Sequence, residues 1–343
     1  MEASRGEILR MIDRQKVCRT NPTMFSDCEL TQMRSSRRDL LFAAPGAIAA
    51  AMVSGSSSAR AAAPIARLAG SHMKLSLAAY SFDRYLIKRG TPEQVAAAKM
   101  TIEQFIDYCA EINLDGTELT SYYFPIDIPP EYLASLKERC FRLGLDISGT
   151  AIGNDFCLPE GPKRNQNLMM CREWIDHAAM LGAPVIRIFA GSVPAGDSEE
   201  AARERCVAGI NESLDYASQR GVFLALENHG GITSTSEQIL KIIEGVKASP
   251  WFGVNLDGGN FKTPDPYFDL ERIAPYTINA QLKATVFPNG IAEKADLQRV
   301  IAILKRANYR GYVVLEYEDQ EDPRTAIPTL IQKMRDAIHS QES

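Results

Sequence analysis

The sequence predicts a single-domain α/β fold, a (β/α)8 barrel over residues 74–343. Three observations predict it. Short apolar runs and longer amphipathic stretches alternate eight times along the chain. The repeats fill roughly 270 residues, a length at which such barrels close as one unit. No G-x-G-x-x-G follows the first apolar run, where a doubly wound sheet would carry its phosphate loop.

The predicted strands are residues 75–80, 116–119, 146–152, 184–190, 222–227, 253–257, 278–283 and 311–317. Most are rich in Val, Ile, Leu or Phe, as parallel strands buried on both faces are. The predicted helices are 101–112, 130–143, 167–181, 199–220, 235–246, 269–274, 294–307 and 323–339. Gly144, Gly182 and Gly221 stand just before the next strand, where a helix ends in the left-handed conformation.

Charge is distributed unevenly. The chain carries 38 Lys/Arg and 43 Asp/Glu, but residues 1–73 hold 10 and 6 of them, so residues 74–343 hold 28 and 37. An acidic body of this kind excludes a nucleic-acid surface, which needs clustered cations to neutralise phosphates. The basic end reads as an address. Ser35-Ser36-Arg37-Arg38-Asp39-Leu40-Leu41 resembles a twin-arginine export motif, and a weakly apolar run and Ala59-Arg60-Ala61 follow. Cleavage is expected near Ala61 or Ala63, sending the product to the periplasm or outside the cell. Met33 is an alternative start, and the apolar run is too short for a stable membrane span.

Seven cysteines, at 18, 28, 109, 140, 157, 171 and 206, form no C-x-x-C pair and no zinc spacing. They read as buried packing residues or free thiols.

A barrel of this type builds its site at the C-terminal ends of its strands. Strand five closes with Leu226-Glu227-Asn228-His229 and strand six with Leu256-Asp257-Gly258-Gly259-Asn260. Strand seven carries Gln281-Leu282-Lys283, and strand eight Leu315-Glu316-Tyr317-Glu318. Glu227, Asp257, Gln281 and Glu316 follow one another at 30, 24 and 35 residues, about one βα unit each. Residues two apart on a strand share a face, so Glu227 with His229, Gln281 with Lys283, and Glu316 with Glu318 form same-facing pairs. A single strand-end Glu is as readily a salt-bridge partner for a loop. Four polar ends on successive strands are costly to bury unless a cation or partner compensates. Earlier strands add Glu118, then Asn154, Asp155 and Arg187, with Tyr122, Tyr123 and Phe124 as an apolar wall; each of these serves packing equally well.

On these motifs, residues 74–343 resemble the xylose isomerase-like barrel superfamily, in particular its sugar phosphate isomerase/epimerase branch, which includes ketose 3-epimerases. In that branch strands five to eight give a Glu, an Asp, a His and a Glu to one Mn2+-like ion. The resemblance implies Glu227, Asp257, Gln281 and Glu316 as metal ligands, with Mn2+ first and Mg2+ or Co2+ as alternatives. It also implies Glu227 and Glu316 as the catalytic pair that moves a proton on either face of a sugar through an enediolate. His229, Lys283, Glu118 and Asn260 are the expected sugar contacts. Two departures stand out: Gln281 replaces the strand-seven His, and Asn260 replaces the His that closes the strand-six Asp-x-x-His.

The expected activity is isomerisation or epimerisation of a ketose or keto-sugar. The alternatives are a lyase that eliminates the aglycone of a 3-keto-glycoside and a non-catalytic sugar-binding protein. The expected partner is a small-molecule sugar, and a homo-oligomer is left open.

Overall fold

The apolar runs form a closed ring of strands in the computed structural model, which describes residues 62–340. The strands are β1 (His72–Ala78), β2 (Gly116–Thr120), β3 (Asp146–Ala151), β4 (Val185–Ile188), β5 (Phe223–Glu227), β6 (Phe252–Asp257), β7 (Thr277–Leu282) and β8 (Arg310–Leu315). Every neighbouring pair is parallel, and β1 closes on β8 with Leu75 opposite Val313. This is the predicted (β/α)8 barrel. Two register shifts interrupt the ladders, between Thr117 and Glu118 on β2 and between Val254 and Asn255 on β6. Such irregularities re-aim side chains.

The helices are α1 (Pro92–Ala96), α2 (Ile102–Glu111), α3 (Pro130–Arg142), α4 (Pro162–Leu181), α5 (Glu199–Arg220), α6 (Ser236–Gly245), α7 (Pro266–Ile273), α8 (Leu297–Arg306) and α9 (Pro323–His339). Their starts are written locally. Thr101 with Gln104 and Thr235 with Gln238 form reciprocal capping boxes. Gly144, Gly182 and Gly221 all take positive φ (72°, 80° and 70°), as expected for helix ends. Apolar faces of these helices pack on the outer faces of the strands, where Leu77, Ile106, Ile186, Leu224 and Ile239 are fully buried.

The differences from expectation have local causes. Helix α4 begins at Pro162 instead of residue 167, because proline is pre-shaped for a first helical turn. The short helix α1, set by its own Thr91–Gln94 box, falls outside the predicted helices. A two-stranded antiparallel ribbon, Thr285–Val286 with Glu293–Lys294, precedes α8, which starts only after its Asp296 cap. Strand β1 begins at His72, two residues before the expected boundary. Just ahead of it, the Ile65 N–H donates to the Pro275 carbonyl and the Gly70 N–H to Asn308 Oδ1, both at 3.0 Å. The twin-arginine motif, its apolar run and Ala61 lie outside the described residues. Among the described residues no helix is long and apolar enough to cross a membrane. The five described cysteines are buried and unpaired.

Candidate active site

Strands β5 to β8 deliver Glu227, Asp257, Gln281, Lys283 and Glu316 to one end of the barrel, all buried. Local contacts hold the strand ends. Asn228 donates to the Asp257 carbonyl (2.9 Å) and accepts from the Asp257 N–H (2.8 Å), clamping β5 to β6. The Gly259 N–H donates to Asp257 Oδ1 (2.8 Å). Residue 259 must be glycine for the turn to approach β7: a Cβ there would stand 2.6 Å from the Thr285 carbonyl oxygen and 2.9 Å from Lys283 Cβ.

Two basic side chains enter this acidic cluster. Arg187 Nε on β4 lies 2.7 Å from Glu227 Oε2, close but off the N–H axis, while its Nη1 donates to the Ile152 carbonyl (2.6 Å). Asn260 Nδ2 donates to Glu227 Oε1 (2.9 Å). Asn260 therefore meets Glu227 directly, an attachment its expected role as a sugar contact did not include. Lys283 Nζ stands 2.8 Å from Glu318, 3.1 Å from Glu316 and 3.5 Å from Asp257. Burial works against its charge, but Asp257, Glu316 and Glu318 outweigh it and raise its pKa, so the ammonium persists.

Glu118 was expected at the sugar pocket. Its carboxylate instead lies inside the barrel, accepting from Gln281 Nε2 (2.7 Å) and Asn279 Nδ2 (3.3 Å). Tyr123 and Phe124 are core residues (1% exposed each) and form no open wall. His229 stacks on Phe189 with ring centroids 4.0 Å apart, and the Arg187 guanidinium covers Phe189 at 3.9 Å. Burial of its inner edge, with Arg187 and Lys283 facing it, lowers the His229 pKa to about 4, so it is neutral near pH 7. His229 also lines a small cavity of about 160 Å3 with Asn154, Asp155 and Ser192. A cavity of about 810 Å3 lies between the ribbon, α8 and α9 and touches none of the buried acids.

The charge balance is informative. Four buried carboxylates, Glu118, Glu227, Asp257 and Glu316, face two buried cations, Arg187 and Lys283. With all four ionised the cluster would lack two positive charges, which either held protons or a divalent cation can supply. Uncompensated carboxylates hold their protons. Burial, reinforced by Glu316, pushes Glu118 to about 8 and Asp257 to about 7. Burial also raises Glu227 well above the usual range, against the pull of Arg187. Among the described residues no hydrogen-bond donor reaches Asp257 Oδ2, and the set is all oxygen once Gln281 is counted. Among the described residues no three His, Cys, Asp or Glu side chains by themselves form a metal-holding group, and Lys283 lies among the acids. Charge and oxygen donors alone would suit a divalent ion, but Arg187 already pairs with Glu227, and Lys283 with Glu316 and Asp257.

The sequence reading missed Asn255 and Asn279. Both are polar residues within apolar strands (Val254-Asn255-Leu256 and Ile278-Asn279-Ala280), a pattern that requires a buried partner. That was the available signal.

A model of the Xylose isomerase-like TIM barrel family matches residues 106–337, and the chain belongs to this family. No curated protein matches it. Solved structures share the fold at low identity. The 3-keto-D-glucoside 4-epimerase YcjR from E. coli is 17% identical, with 77% of this chain and 99% of that one covered at a TM-score of 0.60. D-Psicose 3-epimerase from Clostridium cellulolyticum H10 is 14% identical, with 78% and 100% covered at 0.61. A xylose isomerase domain protein from Planctomyces limnophilus is 16% identical, with 79% and 99% covered at 0.58. At these identities the likeness establishes the fold alone.

Proposed function

We propose that this chain is a divalent-metal-dependent isomerase or epimerase of a ketose or keto-sugar, moving a proton at the carbon beside the carbonyl. One observation carries the reading: two buried carboxylates, Glu227 on β5 and Glu316 after β8, stand at the same end of the barrel with Asp257 and Lys283. Glu227, Asp257, Gln281 and Glu316 would hold the ion. An all-oxygen set favours Mn2+, with Mg2+ or Co2+ as substitutes. A divalent ion held there would supply Lewis-acid stabilisation of negative charge developing on substrate oxygens.

The side chains divide the remaining work. Glu227 is held at both oxygens by Arg187 and Asn260, a fixed proton acceptor on one face. Among the described residues the Glu316 carboxylate pairs with Lys283 alone and is freer to exchange a proton on the other face. The Lys283 ammonium is poised to steady an enediolate oxygen. Neutral His229, fixed on Phe189, can hydrogen-bond a sugar hydroxyl. Family membership supports the reading, as do fold neighbours whose names include a 3-keto-glucoside epimerase and a psicose epimerase. Residues 1–63 we assign to twin-arginine export, which N-terminal sequencing of the protein recovered from the periplasm would test.

The test incubates the full chain with Mn2+, a panel of ketoses and 3-keto-glycosides, and D2O, with products read by NMR. Deuterium beside the carbonyl on an intact skeleton is the expected result. Loss of the aglycone would make the protein a lyase, and verified metal with no exchange would leave a sugar binder. Glu227→Gln and Glu316→Gln should each slow exchange by about 10²–10⁴-fold. Exchange unchanged in both variants sinks the assignment.

A further inference from the structure

We infer that the substrate is a glycoside with an aromatic aglycone, which lies in an apolar cavity beside the barrel mouth, walled by the segments that follow β2 and β3. The inference rests on the reading that a keto-sugar occupies the mouth, and it names the group carried at that sugar's anomeric carbon. The cavity holds about 480 Å3, room for a substituted phenyl ring. Small-molecule clefts run to about 300–1,000 Å3. The apolar lining comes from Phe124, Ile126, Met169, Met170 and Trp174.

This cavity abuts the candidate site. Gly153 lines it, and the residues on either side of Gly153 belong to the site. The Ile152 carbonyl accepts from Arg187 Nη1 (2.6 Å), and Asn154 lines the cavity of about 160 Å3 beside His229. Asn167 on α4 borders the larger cavity and accepts from the N–H of Asp155, a wall of the smaller one (2.8 Å). Residues 153–155 are thus the boundary between the two, and it is lowest at Gly153, which is exposed and has no side chain. Positive φ does not require glycine there. Space does: a Cβ would stand 3.1 Å from the ring and the hydroxyl of Tyr122. A sugar held at His229 can pass its substituent over Gly153 into the larger cavity.

Two features separate this cavity from an ordinary surface crevice. Ile126 and Met169 on its rim are 67% and 70% exposed, apolar surface that gains from being covered. Arg89 is held at a φ of 48°, uncommon for a residue with a side chain. Its N–H donates to the Tyr122 carbonyl (2.8 Å), and its Nη2 reaches Met170 Sδ at 3.8 Å. Among the described residues no carboxylate pairs with it, so a cation lies against a methionine-lined wall. Guanidinium and thioether both favour an aromatic ring, through cation–π and sulfur–aromatic contacts. A phosphorylated substituent would meet Glu173 as well as Arg89, and a second sugar would set hydroxyls against Ile126 and Met169.

Two measurements on the full chain test this. The first follows fluorescence quenching by p-nitrophenyl β-D-glucoside in a Trp251→Phe background, where Trp174 in the cavity wall is the one remaining tryptophan. Saturable quenching is expected, with none from methyl β-D-glucoside. Ile126→Lys and Met169→Lys, both at exposed positions, should each weaken binding by about 10-fold. Phe141→Lys, an exposed apolar residue on α3 outside the cavity, should leave it unchanged. The second measurement needs no tryptophan substitution: deuterium exchange into p-nitrophenyl and methyl 3-keto-β-D-glucosides. Here kcat/KM should favour the aryl substrate by about 10-fold, and lysine at 126 or 169 should erase that preference. Equal kcat/KM for the two substrates, or quenching that is absent or indifferent to both lysines, overturns the inference and leaves the sugar chemistry standing. Lysine-sensitive quenching with no exchange into either substrate keeps the aglycone site and sinks the proton-transfer reading. Neither quenching nor exchange removes both.

Discussion

Replacing Arg187 by methionine removes one of the two cations buried with four carboxylates while keeping most of the apolar stem. Its guanidinium stands 2.7 Å from Glu227, and both partners are almost wholly buried. Breaking such a pair by deleting one member typically costs about 3–5 kcal/mol, because the remaining charge has no water to replace its partner. A smaller part, about 1 kcal/mol, is the bond from Arg187 Nη1 to the Ile152 carbonyl, which does not depend on pH. The larger part does. Burial already raises the folded-state pKa of Glu227, and Arg187 is the leading influence holding it down, so the variant raises it further. A carboxyl whose folded pKa exceeds its unfolded value binds more protons when folded, so it lowers stability as pH rises through that window. The penalty should be largest at pH 8 and shrink toward pH 5, where Glu227 is protonated in the variant. Apo protein unfolded by heat should show a midpoint lower by roughly 5–15 °C at pH 8 and by much less at pH 5. An equal loss at both pH values would refute the charge argument and leave only the Ile152 bond and packing on Phe189.

Three further outcomes are expected. Gly259→Ala places a methyl group against the Thr285 carbonyl and Lys283, so calorimetry should record a loss of about 1–3 kcal/mol and the exchange rate should fall with it. Mn2+ at a hundred times its Kd should stabilise the fold by about 2.7 kcal/mol, reversed by EDTA; an unchanged melting midpoint under those conditions would count against a metal bound by the native state. The His229 imidazole should titrate near pH 4 in an NMR series, and a midpoint near the ordinary 6.5 would show that stacking on Phe189 and the charges of Arg187 and Lys283 do not hold it neutral.

Much of this molecule is written locally. Apolar runs of strand length, Thr–Gln capping boxes and glycines at helix ends each act within a few residues, so the barrel is readable along the chain. Glu227, Asp257 and Glu316 are readable for the same reason, since an acid directly after a buried strand violates the apolar pattern at a place where barrels put their sites. Asn255 and Asn279 carry a weaker form of that signal, one polar residue within an apolar strand.

What the chain does not show is who meets whom across the barrel. Arg187 and Glu227 are 40 positions apart, and Glu118 and Gln281 are 163 apart. Glu118 looks like a strand-end pocket residue until the register shift on β2 and the closure of the ring turn it inward to Gln281. Lys283 reads as a substrate contact, yet closure of β7 against β8 sets it among three acids. Sequence alone determined the elements and the acidic ends of the strands, because those depend on near neighbours. Tertiary structure decided which charges compensate one another and which way the buried amides point, because electrostatic and hydrogen-bond partners are chosen by distance in space once the barrel has closed.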